Sequence, residues 1–373
     1  MDYPKLPELK PDGVIYENTK MGVFESFLPT GGYDSAHAPA LLETAEGDLL
    51  CAWFAGSREG NADVRIVCSR LPKGTAQWEP VTDISGDPTR SEQNPSLFQH
   101  PNGDIWAVYT AQLERLNGKN RQETAFVRRQ ISRDQGRTWG PAEILFPEIG
   151  TFCRQPIQIL SNGRWIMSTY VCSVGGAAGD PTILRISDDQ GQTWRAVEMP
   201  GSNYRVHGNI VELGGGKLVD FLRSRAADNI YISRSDDYGD TWTVPVPTVL
   251  PNNNASISAL RLQSGRIAIA YNHTNTASTD PTHTVWPKVR CPVAVALSED
   301  GGETFPMIRA MELGEGYMGL ENVVNNLRYE YPYLMQARDG RLHLAFANRT
   351  RQGIKWMSFT EEDVMGAERK LNR

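Results

Sequence analysis

The side chains of this sequence that are equipped for chemistry recur at one point of a repeating pattern. His37, His207 and Tyr331 each open an apolar run through a small residue or proline, in His37-Ala38-Pro39-Ala40-Leu41, His207-Gly208-Asn209-Ile210 and Tyr331-Pro332-Tyr333-Leu334. Three further runs open in the same way, with Gln93-Asn94-Pro95, Arg154-Gln155-Pro156 and Asn254-Ala255-Ser256. Imidazole titrates near neutral pH and a phenol both donates and accepts, so the first three residues are able to move protons. The strands that follow end in a second set of polar groups: Ser57-Arg58-Glu59, Gln112, Tyr170, Arg223-Ser224-Arg225, Asn272-His273 and Asn348-Arg349. Guanidinium grips carboxylate through two parallel hydrogen bonds, so arginines collected in one place point to an anionic ligand.

These residues need a frame that brings distant segments together, and the sequence contains one. Each of the six runs continues into a glycine turn and a second apolar strand, with turns at Glu46-Gly47, Asn102-Gly103, Asn162-Gly163, Gly214 to Gly216, Ser264-Gly265 and Asp339-Gly340. A second repeat interleaves with the first. Ser132-Arg133-Asp134-Gln135-Gly136-Arg137-Thr138-Trp139 recurs from Ser187 to Trp194, from Ser235 to Trp242 and, with phenylalanine last, from Ser298 to Phe305. The starts are 55, 48 and 63 residues apart (132 to 187, 187 to 235, 235 to 298), and a degenerate copy spans Ser69 to Trp78. Serine and aspartate bond nearby backbone N–H groups, glycine takes positive φ and the aromatic packs back, which is the chemistry of a β-hairpin tip. The octets are therefore structural.

Each unit reads strand, glycine hairpin, strand, connection, strand, octet hairpin, strand. Six such units in 373 residues allot about 62 residues to each sheet, and six radially repeated four-stranded meanders make an all-β, six-bladed propeller. Residues 1–373 are accordingly expected to form one domain. No octet follows the last strand, so Gly13-Val14-Ile15-Tyr16 is expected to complete the sixth sheet and close the ring, protecting its edges. In such a meander both kinds of hairpin lie on one face. The strand starts and second-strand ends converge on the other, near the axis, forming a pocket of convergent polar groups.

Composition narrows the ligand further. With 38 Lys+Arg against 44 Asp+Glu the net charge is −6, and no segment concentrates basic residues, so a nucleic acid is not an expected partner. No apolar run approaches the length of a bilayer span, and no export signal is visible at the N-terminus; the expected location is the cytoplasm. The five cysteines lack metal-ligand spacing, are odd in number and read as buried thiols; neither a metal nor a cofactor is implied.

The octets and the polar strand starts together resemble the sialidase (neuraminidase) superfamily of Asp-box propellers over nearly the whole chain. That resemblance implies an exo-glycosidase whose arginines hold a substrate carboxylate and whose nucleophile is a tyrosine. A neutral phenol approaches an anionic sugar with less repulsion than a carboxylate does. By position, Tyr331 resembles the nucleophile, Arg223 the second arginine of the family's triad, Arg290 the third, and Arg58 the arginine of the first loop. His37 stands where the family has its first arginine, and His207 where it has a glutamate. Asp63 aligns better with a structural strand-start aspartate, leaving Glu59 or Asp63 to supply a carboxylic acid. Arg154, Arg225, Arg349, Asn254 and Gln93 complete the expected substrate-binding set. Two reactions fit these residues: exo-hydrolysis of a terminal acidic or acid-linked sugar at Tyr331, and rhamnosidase or uronate lyase chemistry in which histidine and tyrosine act as base and acid. A third reading is a glycan-binding propeller without catalysis. The partner in each is an oligosaccharide or glycoconjugate. Residues 272–289, rich in Thr, Pro and Asn, serve either as a lid or as plain surface, and His273 and His283 within them are expected to be inert.

Overall fold

The computed structural model describes residues 10–174, 179–276, 278–314 and 328–366. Six antiparallel sheets follow one another along the chain as the blades of a propeller. Blade one is built from Ser35–Glu43, Leu49–Gly56, Arg65–Leu71 and Thr82–Asp83; blade two from Arg90–Gln99, Ile105–Leu113, Phe126–Ser132 and Glu143–Phe146. In blade three the inner strand is broken into Thr151–Cys153 and Gln158–Ile159, both paired with Trp165–Val171, and Thr182–Ser187 and Arg195–Glu198 follow. Blade four comprises Arg205–Gly214, Lys217–Ser224, Asn229–Ser235 and Val246–Pro251; blade five Ser258–Arg261, Ile267–Asn272, Val293–Ser298 and Met307–Glu312.

Blade six corrects one expectation. Its strands Glu330–Gln336, Leu342–Asn348 and Gly353–Phe359 are completed by Val23–Phe27, which pairs along the last of them from Phe24 opposite Ser358 to Phe27 opposite Lys355. Tyr16–Asn18 adds a fifth, outer strand, and Val14 makes only an isolated bridge to Gln77. The N-terminal region does close the ring, but through a later segment whose Val23 is buried against Phe359 and Leu344 in one core cluster. Val14 and Tyr16, by contrast, stay exposed.

The core is divided between neighbouring blades. Apolar clusters lie between blades one and two around Leu50 and Tyr109, two and three around Trp106 and Trp165, and three and four around Ile166 and Leu218. They continue between four and five around Phe221 and Ile269, five and six around Val295 and Phe346, and six and one around Trp53 and Trp356. Each blade thus buries both faces, which explains why its inner strands read as near-continuous apolar runs.

The octets form the hairpins between third and fourth strands. In the first, Ser132 Oγ donates to Asp134 Oδ1 at 2.7 Å, and Thr138 N and Oγ1 donate to the two carboxylate oxygens at 2.8 and 2.5 Å. The same bonds recur at Asp189, Asp237 and Asp300. All five cysteines are buried and free. Among the described residues no helix is long and apolar enough to cross a membrane.

Candidate active site

The polar strand starts prove to be a repeated backbone device. The inner strands of blades one, two, four and six each slip register, between His37 and Ala40, Gln93 and Ser96, Val206 and Asn209, and Glu330 and Tyr333. Within the slips Ala38, Asn94, His207 and Tyr331 take positive φ of 54°, 52°, 54° and 55°, and Asn254 does the same at 56° before the inner strand of blade five. Left-handed backbone is costly for residues with a Cβ and persists where surrounding contacts hold it, typically at functional sites.

One buried side chain ties these bulges together. Arg154, 1% exposed, donates to the carbonyls of Pro39 (2.9 Å), Pro95 (3.3 Å) and Tyr331 (3.4 Å) and to Ser256 Oγ (3.3 Å). It therefore links four blades from beneath. This corrects the expectation of a substrate-binding role, because its donors are spent on backbone. Gly208 has a similar structural reason: a Cβ there would collide with Ser168 Oγ and the Asp220 carboxylate. Asp220 is fully buried, accepts from Ser168 Oγ at 3.1 Å, and is pushed up to about 7 by burial.

Above this floor lies Tyr331, partly exposed. Arg223 Nη1 donates to its hydroxyl at 2.7 Å, while Arg223 Nε is fixed by Asn254 Oδ1 at 2.8 Å. His37 packs on the phenol ring with centroids 4.2 Å apart, and His207 meets it edge-on at 5.5 Å. His207 Nε2 lies 3.1 Å from Tyr170 Oη and 3.5 Å from Arg223 Nη1. Because guanidinium only donates, Nε2 is the acceptor and the ring proton sits on Nδ1. Burial, then the positive charge of Arg223 and Arg225, holds His207 well below the usual histidine range. Burial and Arg351 do the same for His37, against the opposing pull of Glu330. Both imidazoles are therefore neutral at pH 7.

The residue before Tyr331 anchors the other side of the pocket. Glu330, wholly buried, accepts from Arg290 Nη1 at 2.7 Å and Arg351 Nε at 2.6 Å, with His37 Nδ1 3.6 Å away. Burial alone would raise its pKa, but Arg351 and Arg290 outweigh that and keep it ionised. The carboxylate lies on the Nδ1 side of His37, beyond hydrogen-bond distance. Arg351 stands in a turn where Arg349, Thr350 and Arg351 all take positive φ, and its Nη1 bonds Glu59 Oε2.

Within the loop before Arg290, Val285 and Trp286 lie against the arginines. Val285 N donates to Arg225 O at 2.9 Å and Val285 O accepts from Asn254 Nδ2 at 2.6 Å. Between these anchors and Arg290, Trp286 packs against the guanidiniums of Arg223 and Arg225, 5.7 and 5.3 Å from its ring centre, while remaining 57% exposed. Arg225 is also paired with Asp180 at 2.8 Å.

The structure thus brings Tyr331, His37, His207, Arg223, Arg225, Arg290 and Asn254 together. Asp63 accepts from Ser57 N and Oγ at 2.8 and 3.0 Å, which closes an exposed loop. Arg58 is exposed on that loop, Gln93 donates to Ser91 Oγ at 2.9 Å, and Arg349 is buried in the strained turn. Glu330, Arg351 and Trp286 were missed as site residues, whereas Tyr170 was expected in the pocket as a strand end but given no role. Only Glu330 carried a usable signal, since it occupies the same place before the left-handed residue as His37 and Gln93. Arg351 lies beyond the expected strand end. Among the described residues, His37 Nδ1 and Nε2, His207 Nδ1, Arg223 Nη2, Arg225 Nε and Arg290 Nε are buried without a hydrogen-bond partner. Such a concentration of unsatisfied polar atoms marks a binding site.

Six four-stranded blades around an axial polar pocket make a six-bladed β-propeller, and similarity to known proteins agrees with that fold. The chain belongs to the BNR repeat-like family, whose model matches residues 47–344. Its structure is similar to the Hadza microbial sialidase Hz136, with a TM-score of 0.72 and 16% identity over 88% of this chain and 66% of that one. It is also similar to a mutant NanB sialidase from Streptococcus pneumoniae (TM-score 0.69, 13% identity, 96% and 72% covered). A third is the intramolecular trans-sialidase from Ruminococcus gnavus (0.67, 14%, 90% and 97%). Comparison with curated protein sequences returns no match.

Proposed function

We propose that this protein is a sialidase-type exo-glycosidase for sugars that carry or adjoin an anionic group, with Tyr331 as the reacting residue. The observation that carries the reading is the setting of the Tyr331 hydroxyl, held by Arg223 at 2.7 Å in a pocket flanked by two neutral imidazoles. Arg223 occupies a lone pair of the phenol oxygen, so the phenol proton must leave in another direction. His37, with both ring nitrogens unbonded, is the base beside the ring. In the first step the phenol oxygen bonds to the anomeric carbon as its proton passes to His37, the glycosidic C–O bond breaks, and the departing oxygen takes its proton from solvent. Water then releases the sugar from the tyrosine, by microscopic reversibility. Arg223, whose bonds go to Asn254, Tyr331 and His207 and to no carboxylate, leaves a guanidinium charge in the pocket, which favours an anionic substrate.

A specific observation supports a second reading: no carboxylate bonds the Tyr331 hydroxyl among the described residues. A histidine base and a tyrosine acid, with guanidinium neutralising a uronate carboxylate, also suit β-elimination. Incubation with a 4-methylumbelliferyl sialoside and with uronate-containing oligosaccharides separates the two. Release of the fluorophore supports hydrolysis; an unsaturated uronate absorbing in the ultraviolet supports elimination; binding without turnover of either overturns both.

A further inference from the structure

Within the pocket the arginines divide into two groups that differ in how they are satisfied. On one side Arg290 and Arg351 both donate to Glu330, Arg328 Nη1 lies 3.6 Å from the same carboxylate, and Glu59 takes a further donor of Arg351. Three guanidiniums thus converge on one carboxylate that is 0% exposed. On the other side Arg223 meets no carboxylate and keeps Nη2 buried without a partner among the described residues, and Arg225 pairs with Asp180 at 2.8 Å while its Nε stays unpartnered, beneath an exposed indole; in the clamp Arg290 Nε is likewise unpartnered. The first group has the geometry that an external carboxylate would seek, but the chain fills it with its own. The second retains unmet donors beside the Tyr331 hydroxyl.

We propose that Glu330 is a specificity-determining residue: it occupies the clamp of Arg290 and Arg351 as a built-in anion and directs the acidic group of a substrate to Arg223 and Arg225. The consequence is a substrate class. The site takes a sugar with its acidic group on the Arg223 side, and it offers no second place for an anion while Glu330 is present. This deepens the reading of the pocket as a site for acidic sugars and rests on it only for the second half of the test.

The first half needs no turnover. Full-length wild type, Glu330→Ala and Glu330→Gln are melted in formate or acetate and in chloride at equal ionic strength. Glu330→Ala opens a carboxylate-sized space between two guanidiniums, so formate raises its Tm by about 5 °C, whereas wild type moves by about 1 °C or less. If Glu330→Ala fails to fold in chloride, recovery of folded protein in formate is the same result. Glu330→Gln keeps the shape, removes the charge and shows a smaller formate response. Equal formate dependence in all three proteins, or none in either variant, overturns the built-in anion. The second half titrates glucuronate and N-acetylneuraminate against their methyl esters by tryptophan fluorescence. Arg225→Gln lowers the preference for the acid over the ester at least tenfold; an unchanged preference overturns the assignment to Arg223 and Arg225 while leaving the formate result standing.

Discussion

The two ends of the propeller use repetition in opposite ways. At the octet hairpins Asp134, Asp189, Asp237 and Asp300 sit near solvent in copies of one hydrogen-bond pattern. Burial pushes Asp134 up, but hydrogen bonds from Thr138, Ser132 and Arg137 together outweigh it and bring it down to about 2. At the axial end the bulged strand starts repeat the backbone but not the side chain: Ala38, Asn94, His207, Asn254 and Tyr331 share a left-handed φ and little else. Where the same residues recur with their partners satisfied, they build the fold. Where the backbone alone recurs and polar atoms stay unsatisfied, the residues are available for a ligand.

Experiments can break that contrast, beginning with the largest effect. Tyr331→Phe removes the oxygen held by Arg223 and is expected to cut kcat/KM about 1000-fold or more, with Tm nearly unchanged. Arg154→Met leaves the carbonyls of Pro39, Pro95 and Tyr331 without their shared donor and should cost about 3 kcal/mol in denaturant unfolding. Its activity loss should follow from the displaced bulges. Asp134→Ala, at the opposite end, should cost about 2 kcal/mol of stability and leave kcat/KM within twofold, since it breaks hairpin bonds remote from Tyr331. Trp286→Ala should raise KM by up to about tenfold through lost stacking on Arg223 and Arg225, with kcat little changed.

The histidines sharpen the same contrast through pH. His37 and His207 are depressed in the folded state, so the unfolded chain binds their protons first. Stability from these two sites is full above the ordinary histidine pKa of about 6.5 and is lost as pH falls below it. The acidic limb of kcat/KM should accordingly lie well below 6.5. Substituting His37 with glutamine should remove part of the pH-dependent loss of stability, measured as Tm between pH 7 and 5.

Much of this architecture was legible because repetition is a local signal. The octets spell out their own hydrogen bonds, and the glycine turns set the strand boundaries. Tyr331, His37, His207, Arg223 and Arg290 could be gathered because blade topology brings strand starts and strand ends to one axis. What could not be read was how the groups partner across blades. Arg154 looked like the other arginines, yet only the three-dimensional path of Pro39, Pro95 and Tyr331 reveals it as a strut. Asp63 and Glu59 lay in one loop, and sequence offered no means of telling a loop-closing carboxylate from one that pairs with Arg351 nearly 300 residues away. The closing strand was misplaced because Gly13-Val14-Ile15-Tyr16 and Val23–Phe27 are both short and apolar, and pairing with Gly353–Phe359 is a long-range choice.

The central claim, that the bulged axial residues carry the chemistry while the repeated hairpins carry the fold, is tested most directly at Tyr331. Turnover of the substrate found active with wild type, measured beside Tm for Tyr331→Phe and Asp134→Ala, should show the first variant stable and inactive and the second active and less stable. A Tyr331→Phe protein that retains wild-type kcat/KM would contradict the account.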